Sequence, residues 1–389
     1  MASNSMEPAL EDFPGLQAMG NILVPEKGGL QERMHSKYSQ LPWMQEGFSV
    51  WNELLRGEGE VSRDYMNVLT ELHASYPFDL IVYWGNNGAV RNLSKLLSIP
   101  SIALELGCMR SPFAETFYCD FSGVNGFSSL VQYGIPAYNS DYPLPALNGI
   151  GNRGWDQLFW PPSVEASNRP TILVPLQLMD DSNISAFSNF TSMRQFVTKV
   201  YEDLRPLNPR LIIKPHPGAK NYPWTQKDHI DCEKFCEKLD NVIWLKDFDN
   251  KISYIPLLQS VDGVVTINSS TGYEAMVVGK PVLSYGLGPF TALCFRNATE
   301  FMGAIENSNH EQVCQRRSNS LEFLYHYLCD GQTLQSSTRF LYQLNRQIGL
   351  SEAAKRGDNA FAQQMRASLS FENSPNSSFG TGLGLAQWL

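Results

Sequence analysis

The 389-residue sequence lacks any apolar run near the roughly 18 to 20 residues that a membrane-spanning helix requires. Its first residues, Met-Ala-Ser-Asn-Ser-Met-Glu-Pro, also lack the charged and apolar regions of a signal peptide. Basic residues are in deficit, with 30 Lys and Arg against 39 Asp and Glu, which gives a net charge of -9. This charge argues against a nucleic-acid scaffold, which would need a basic face. We therefore expect a cytoplasmic protein that binds no nucleic acid.

Several catalytic signatures are absent as well. The sequence contains no Walker P-loop, no GxSxG serine-hydrolase motif and no HExxH zinc motif. Its seven cysteines are odd in number and scattered, which predicts free thiols rather than a disulfide framework. Cys232 and Cys236 are spaced by one helical turn, but only His229 lies near them in the sequence. Because zinc would need further ligands, ordinary helix packing is the better interpretation.

Apolar residues are abundant, and their order predicts the fold class. Hydrophobic residues make up 43% of a chain long enough for two domains. In the second half, short apolar segments alternate with amphipathic ones, which favours a parallel sheet covered by helices. The predicted strands are 171–176, 210–214, 242–245 and 263–267, and the predicted helices are 191–204, 230–239 and 252–259.

The first half is less regular but contains at least one strand–helix–strand unit. Strands are predicted at 79–84 and 101–106, with a helix at 90–97 between them, so a second Rossmann-like domain is expected. A Pro-, Gly- and Asn-rich stretch places the connection at 161–169. We predict an N-terminal domain at 1–165 and a second domain at 166–310. Helices at 311–372 are expected to pack back on the first domain, before a loose tail at 373–389.

The stretch from Val264 to Val282 is the most informative in the chain. A β-branched strand stops at Asn268-Ser269-Ser270-Thr271-Gly272, and a helix with Glu274 in its first turn follows. Free backbone N–H groups, hydroxyls and the positive end of the helix dipole would converge there, which suits a phosphate. A polar cap without any ligand explains the same residues equally well, and Glu274 could bind a ribose hydroxyl or merely stabilise the first helical turn.

Three further groups of polar residues lie at or just after predicted strand ends. Glu105 and Arg110 flank one turn, and a structural ion pair between them is the plain alternative to a function. Asp180 and Asp181 follow another strand, and one of them could act chemically while the other caps the next helix. In Lys214-Pro-His216-Pro217, the prolines stiffen the backbone around His216, which favours an anion or substrate ligand.

At these four sites the chain resembles the capsule polysaccharide biosynthesis family of bacterial glycosyltransferases, in particular its retaining β-Kdo transferases. The resemblance runs from about residue 80 to 290, and its motifs occur in the family's order. They are Glu105-Leu-Gly-Cys-Met-Arg110 with Asp120-Phe-Ser-Gly-Val-Asn125, Pro175-Leu-Gln-Leu-Met-Asp-Asp181, Lys214-Pro-His-Pro217, and Asn268-Ser-Ser-Thr-Gly-Tyr-Glu-Ala275 with Gly279-Lys-Pro-Val282.

The resemblance implies an α/β fold of variant GT-B type, in which two Rossmann-like domains with parallel sheets face a central cleft. It implies CMP-β-Kdo as donor, a glycan or glycolipid acceptor, no metal or other cofactor, and transfer with retained configuration. One carboxylate of Asp180 and Asp181 would be the nucleophile, with a slight preference for Asp180, and Glu105 would serve as acid/base or orient the acceptor. The predicted donor-binding residues, with His216 near the phosphate, are Lys214, Ser269, Ser270, Thr271, Gly272, Glu274, Arg110 and Gln177.

Two alternatives stay open at this level. The same fold could carry an inverting transferase or an epimerase that uses another nucleotide sugar. The chain could also be a non-catalytic polysaccharide-binding module, although its three candidate carboxylates argue against that. Because acceptors of such enzymes are usually lipid-linked, peripheral association with the inner face of the cytoplasmic membrane, or with other modules of a larger transferase, is a further expectation.

Overall fold

The computed structural model describes residues 30–110, 116–135, 169–246, 250–306 and 310–367. The predicted tail at 373–389 and all but the last residue of the predicted connection at 161–169 lie outside these ranges.

Short strands alternate with helices along the described residues. The strands are β1 (Ile81–Trp84), β2 (Ser101–Leu106), β3 (Thr116–Asp120), β4 (Thr171–Pro175), β5 (Arg210–Lys214), β6 (Val242–Trp244), β7 (Gly263–Thr266), β8 (Val282–Ser284) and β9 (Cys329–Asp330). The α-helices are α1 (Leu30–Tyr38), α2 (Phe48–Arg56), α3 (Gly59–Ser75), α4 (Gly88–Leu97), α5 (Ser129–Tyr133), α6 (Ser182–Ser185), α7 (Met193–Asp203), α8 (Pro223–Cys236), α9 (Asn250–Ser260), α10 (Ser270–Val277), α11 (Ala298–Glu306), α12 (His310–His326), α13 (Gly331–Gln335), α14 (Ser337–Lys355) and α15 (Asp358–Ala367).

The described residues fall into two compact units. The first contains residues 30–106, 116–135 and 326–367, and the second contains 107–110, 169–246, 250–306 and 310–325. The helices from residue 326 onward therefore group with the N-terminal strands rather than with the residues that precede them in sequence.

The sheet of the second unit is entirely parallel, with strand order β6-β5-β4-β7-β8. Its central strands β5 and β7 are buried at every position, as expected for strands covered by helices on both faces. Chain order runs outward from β4 to β6 and then restarts on the other side at β7. The sheet therefore has a topological switch point between β4 and β7, where open α/β sheets place their ligands.

The sheet of the first unit is mixed, with strand order β1-β2-β3-β9. Only β1 and β2 run parallel, and β3 lies antiparallel to both β2 and β9. A parallel crossover needs a dozen or more residues, which the short segment 107–115 does not supply. The predicted α/β class is confirmed, as is the parallel sheet of the second unit, whereas the first unit departs from the all-parallel sheet that we expected.

The apolar cores explain why these elements assemble. In the second unit, strand residues such as Ile172, Ile213 and Val265 pack with Phe196 of α7 in one buried cluster. In the first unit, Ile102 and Leu104 of β2 pack with Cys119, Cys329, Phe340 and Leu344, so that α14 covers this sheet. Side-chain caps begin several helices, among them Asn87 for α4 and Ser192 for α7.

Candidate active site

The predicted polar motifs of the second unit lie at one edge of its sheet. Because β4, β5 and β7 run parallel, the segments that follow them leave the sheet at the same edge. The Asp180–Asp181 pair follows β4, the segment with His216 follows β5, and the loop with Asn268 follows β7. The first and third of these flank the switch point, which is the preferred ligand position of this topology.

A network of amides joins the two loops at the switch point. Gln177 Nε2 donates to Asn268 Oδ1 at 2.9 Å, and the Asn268 backbone N–H donates back to Gln177 Oε1 at 3.2 Å. Asn268 Nδ2 also donates to the carbonyls of Asn183 and Leu287, both at 2.9 Å. Gln177 is 6% exposed and Asn268 is 7% exposed, so this network fixes the loops from within.

The two adjacent aspartates have different partners. Asp181 Oδ1 accepts the backbone N–H of Asn183 at 2.8 Å and caps the short helix α6. Burial raises the pKa of Asp181, and the Asn183 N–H bond opposes this effect. Asp180 Oδ2 accepts the indole N–H of Trp224 at 2.7 Å. One of the two carboxylates thus caps the next helix, as the sequence suggested, and the other is held by an indole donor.

Lys214 is the last residue of β5 and is only 8% exposed. Burial lowers the pKa of its ammonium, and the Glu274 carboxylate acts in the opposite direction. Its Nζ lies 5.7 Å from the centroid of the Tyr254 ring, over the aromatic face. A cation is therefore held at the sheet edge in a site of restricted solvent access.

His216 is fixed by its own backbone neighbours. Its Nδ1 accepts the N–H of Gly218 at 3.0 Å, and its backbone N–H donates to Nε2 of His229 at 3.3 Å. Burial, with a further contribution from the charge of Lys214, lowers the pKa of His216 to about 4. The ring is therefore neutral at pH 7, and since Nδ1 accepts, its proton resides on Nε2, a donor suited to an anionic oxygen.

The hydroxyl-rich loop after β7 forms the N-terminus of α10. Ser269 Oγ accepts the backbone N–H of Thr271 at 3.3 Å, and its own N–H donates to Thr266 Oγ1 at 2.9 Å. Ser270 is half-buried at the first helical position, where backbone N–H groups and the helix dipole favour an anion. Gly272 acts in packing, because a Cβ there would lie 2.8 Å from Thr266 Cγ2.

Glu274 lies in the interior of the unit and is 3% exposed. Its Oε2 accepts the hydroxyl of Tyr254, and its Oε1 accepts the backbone N–H of Arg110 at 3.2 Å. Burial raises its pKa to about 7, although these bonds and nearby cations oppose the shift. The predicted ribose contact of Glu274 gains no support from this geometry, since both carboxylate oxygens already accept protein donors.

Arg110 belongs to the second unit and Glu105 to the first. In the second unit, Arg110 is exposed, and its Nε donates to the carbonyl of Gly107 at 3.0 Å. In the first unit, Glu105 is half-buried near the end of β2, where its Oε1 accepts the N–H of Leu106 at 2.8 Å. Gly85 follows β1 with a φ of 74°, and a Cβ there would lie 3.6 Å from Glu105 Oε2.

Three side chains that the sequence did not single out hold these motifs in place. They are Trp224 on Asp180, His229 behind His216 and Tyr254 on Glu274. A buried Trp N–H or Tyr O–H usually requires a partner, which is the one signal that could have drawn attention to two of them. Their partners are 44, 13 and 20 residues away in sequence, so no local pattern identifies the pairs.

Cys232 and Cys236 pack in the apolar core of the second unit, as the helix-packing interpretation predicted. His229 Nε2 accepts the N–H of His216, so its Nδ1 donates to the Thr225 carbonyl, at 3.0 Å. Within the described residues, no group of three or more His, Cys, Asp or Glu side chains is arranged to hold a metal ion.

Family models match most of the chain in two segments. Residues 152–296 match the capsule polysaccharide biosynthesis protein model, and residues 29–129 match the N-terminal domain model of glycosyltransferase family 99. The predicted resemblance to the capsule polysaccharide biosynthesis family is confirmed. The first match contains Asp180, His216 and the Asn268 loop, and the second contains Glu105. Together these matches support a glycosyltransferase of capsule synthesis.

Similar proteins carry related descriptions. The chain is 21% identical over 288 residues to the capsule polysaccharide export protein KpsS of Escherichia coli, covering 58% of this chain and 72% of that protein. It is 31% identical over 127 residues to the capsule polysaccharide modification protein LipA of Neisseria meningitidis serogroup B, of which it spans 17%. A solved structure of the β-Kdo 2,7 transferase KpsC from Thermosulfurimonas dismutans matches with 17% identity and a TM-score of 0.42, covering 72% of this chain and 88% of that chain.

Among the helices that the structure describes, none is both long enough and apolar enough to span a lipid bilayer.

Proposed function

We propose that this protein is a retaining glycosyltransferase that moves Kdo from CMP-β-Kdo to a glycan acceptor in capsule or O-antigen synthesis. The observation that carries the proposal is that one carboxylate, one neutral imidazole, one cation and a helix N-terminus follow the carboxyl ends of three neighbouring parallel strands, at the switch point and on the strand beside it. These belong to Asp180, His216, Lys214 and α10. The choice of Kdo rests on the motif resemblance, and the capsule context rests on the family models and on the descriptions of KpsS and LipA.

In the first proposed step, a carboxylate oxygen of Asp180 forms a bond to the anomeric carbon of Kdo while the bond to the CMP oxygen breaks. Retention by double displacement requires such a covalent glycosyl intermediate on one face of the sugar. Asp180 is favoured over Asp181 because the carboxylate of Asp181 is engaged as the cap of α6, whereas that of Asp180 is held by the side chain of Trp224.

CMP leaves with the bonding electrons and therefore gains negative charge. The Nε2–H of His216, the ammonium of Lys214 and the N–H groups at the start of α10 are donors or positive charges suited to that anion. Preorganised donors are effective because they need not reorient as charge develops. The carboxylate of Kdo itself would pair with a cation, for which Arg110 remains the candidate.

In the second proposed step, an acceptor hydroxyl attacks the anomeric carbon, and the bond to Asp180 breaks. The acceptor loses its proton to a general base, a role that the resemblance gives to Glu105. The two inversions leave the sugar with the configuration that it had in the donor.

The deciding experiment incubates the protein with CMP-β-Kdo and a short capsule-type acceptor and determines the new linkage by NMR. We expect a β-linked product, and without acceptor we expect a Kdo adduct on the peptide that contains Asp180, detected by mass spectrometry. An α-linked product would contradict the retaining mechanism.

Nucleotide specificity is tested by thermal shift, since a ligand that binds only the folded state raises the unfolding temperature. CMP should stabilise the protein, whereas UDP and GDP should not. Stabilisation by UDP alone would overturn the donor assignment and favour a transferase or epimerase for another nucleotide sugar.

A further inference from the structure

The first turn of α8 brings an aromatic donor to the candidate nucleophile. Trp224 Nε1 donates to Asp180 Oδ2 at 2.7 Å, and both side chains are half-buried. A donor bonded to a carboxylate limits rotation of that carboxylate, and the bond is charge-assisted when the group is ionised. Trp224 belongs to none of the sequence motifs that suggested the function.

The local sequence fixes the indole in this position. Pro223 occupies the first position of α8, where its missing N–H costs nothing. Thr225 Oγ1 lies 3.0 Å from the carbonyl oxygens of both Ala219 and Tyr222 and shares its one proton between them, which ties the helix start to the preceding turn. The Tyr222 ring stacks on Trp224 with 4.9 Å between centroids and 7° between planes. Tyr222 is 50% exposed, so its ring supports the indole from the solvent side.

The same helix also contacts the start of α7 and the segment that contains His216. One turn after Trp224, Asp228 accepts the backbone N–H of Met193 at the start of α7, at 3.2 Å for each carboxylate oxygen. Its neighbour His229 accepts the backbone N–H of His216. One rigid element therefore contacts both the segment after β4 and the segment after β5, and it sets the spacing of their side chains.

We propose that Trp224 is the positioning residue of Asp180, with Tyr222 as its brace. In this role the indole N–H holds the carboxylate in the orientation required for attack on the anomeric carbon. The inference rests on the proposed function, because it assigns Asp180 to bond formation with the sugar. Trp224 itself undergoes no chemical change and needs no contact with the donor.

The test compares Trp224→Phe with Trp244→Phe in steady-state kinetics with CMP-β-Kdo and acceptor. The first change removes the N–H but keeps a ring to stack on Tyr222. The second makes the same substitution at a half-buried Trp of β6 that packs against the core of the same unit. We expect Trp224→Phe to lower kcat about 10- to 100-fold with KM for the donor unchanged, since the lost bond matters for the orientation of the nucleophile. Trp244→Phe should leave both constants unchanged.

A second variant covers the case in which Trp224→Phe does not fold. Tyr222→Ala alters an exposed side chain, and it should lower kcat in the same direction but by a smaller factor. A purely structural role for Trp224 predicts instead a lower unfolding temperature and weaker CMP binding with kcat per folded molecule unchanged, and that result overturns the inference. Wild-type protein that transfers nothing from CMP-β-Kdo overturns the proposed function and this inference together. Active wild-type protein whose Trp224→Phe and Tyr222→Ala variants match Trp244→Phe overturns this inference alone.

Discussion

Asp120, the last residue of β3 in the first unit, and Asp180, which follows β4 in the second unit, are two aspartates with very different surroundings. Asp120 is completely buried and accepts four bonds, from Ser122 N–H, Ser129 N–H, Ser129 Oγ and Tyr327 Oη, at 2.5 to 2.9 Å. Asp180 is half-buried and is held by an indole donor. Both lie in motifs of the same family resemblance, so a shared motif does not imply the same surroundings, and burial and hydrogen-bond partners distinguish Asp120 from the proposed nucleophile Asp180.

The largest expected effect is on activity, at Asp180. Replacing Asp180 by Asn removes the proposed nucleophile while keeping the shape of the side chain. We expect kcat to fall at least about 10³-fold, equivalent to about 4 kcal/mol in the barrier, with little change in unfolding temperature. Transfer assays and thermal unfolding measure the two quantities. Asp240→Asn, at an exposed position of the same unit, is the control and should retain full activity. Equal activity of Asp180→Asn and Asp240→Asn would contradict the proposed role of Asp180 as the nucleophile.

The opposite pattern is expected at Asp120. Replacing Asp120 by Ala leaves the buried donors of Ser129 and Tyr327 without their acceptor. Because unsatisfied buried groups are costly, the free energy of unfolding should fall by about 3 to 5 kcal/mol. Urea denaturation measures this loss, and Asp79→Ala, an exposed aspartate of the same unit, supplies the control. If Asp120→Ala loses no more free energy of unfolding than Asp79→Ala, the buried bonds of Asp120 do not stabilise the first unit.

The sheet of the second unit was predicted from the sequence more completely than the sheet of the first unit. The strands of the second unit are short apolar runs separated by amphipathic helices. The order of apolar and polar residues in the sequence therefore predicts their positions. The start of α8 was predicted seven residues too late, because the helix begins at Pro223 rather than at residue 230. In the first unit, β3 was missed, and β9 has only two residues, too few to form any pattern. Their pairing depends on chain segments that are distant in sequence.

The candidate site was predicted as a set of residue types but not as a set of contacts. Strand-end polar residues could be located because parallel strands share an edge. The packing role of Gly272 and the buried contacts of Glu274 could not be predicted. The first depends on a neighbouring strand and the second on Tyr254, both of which only the folded chain brings near. The domain boundaries and the catalytic roles, including that of Glu105, stay predictions.

The second unit contains a buried carboxylate as well, that of Glu274. Its pKa of about 7 in the folded state exceeds the ordinary value of 4.5, so between these values the folded protein binds more protons than the unfolded chain. Stability should therefore decrease as pH rises from 4.5 to 7, by up to about 3 kcal/mol from this group. Urea denaturation of wild type and Glu274→Gln across this range measures the contribution of this carboxylate and its coupled neighbours, because groups that do not interact with Glu274 cancel in the difference. Parallel pH profiles for the two proteins would contradict the raised pKa.

The smallest expected effect concerns Asp181, which is adjacent to the proposed nucleophile but acts as a helix cap. Asn caps a helix about as well as Asp, so Asp181→Asn should retain both most of the activity and the stability. Asp181→Ala removes the acceptor of the Asn183 N–H and should cost about 1 kcal/mol in the free energy of unfolding. The two variants separate charge from capping, and transfer assays with urea denaturation measure both. If Asp181→Asn abolishes transfer while Asp180→Asn does not, the roles of the two carboxylates are the reverse of those proposed, and the bond from Trp224 identifies a structural residue instead.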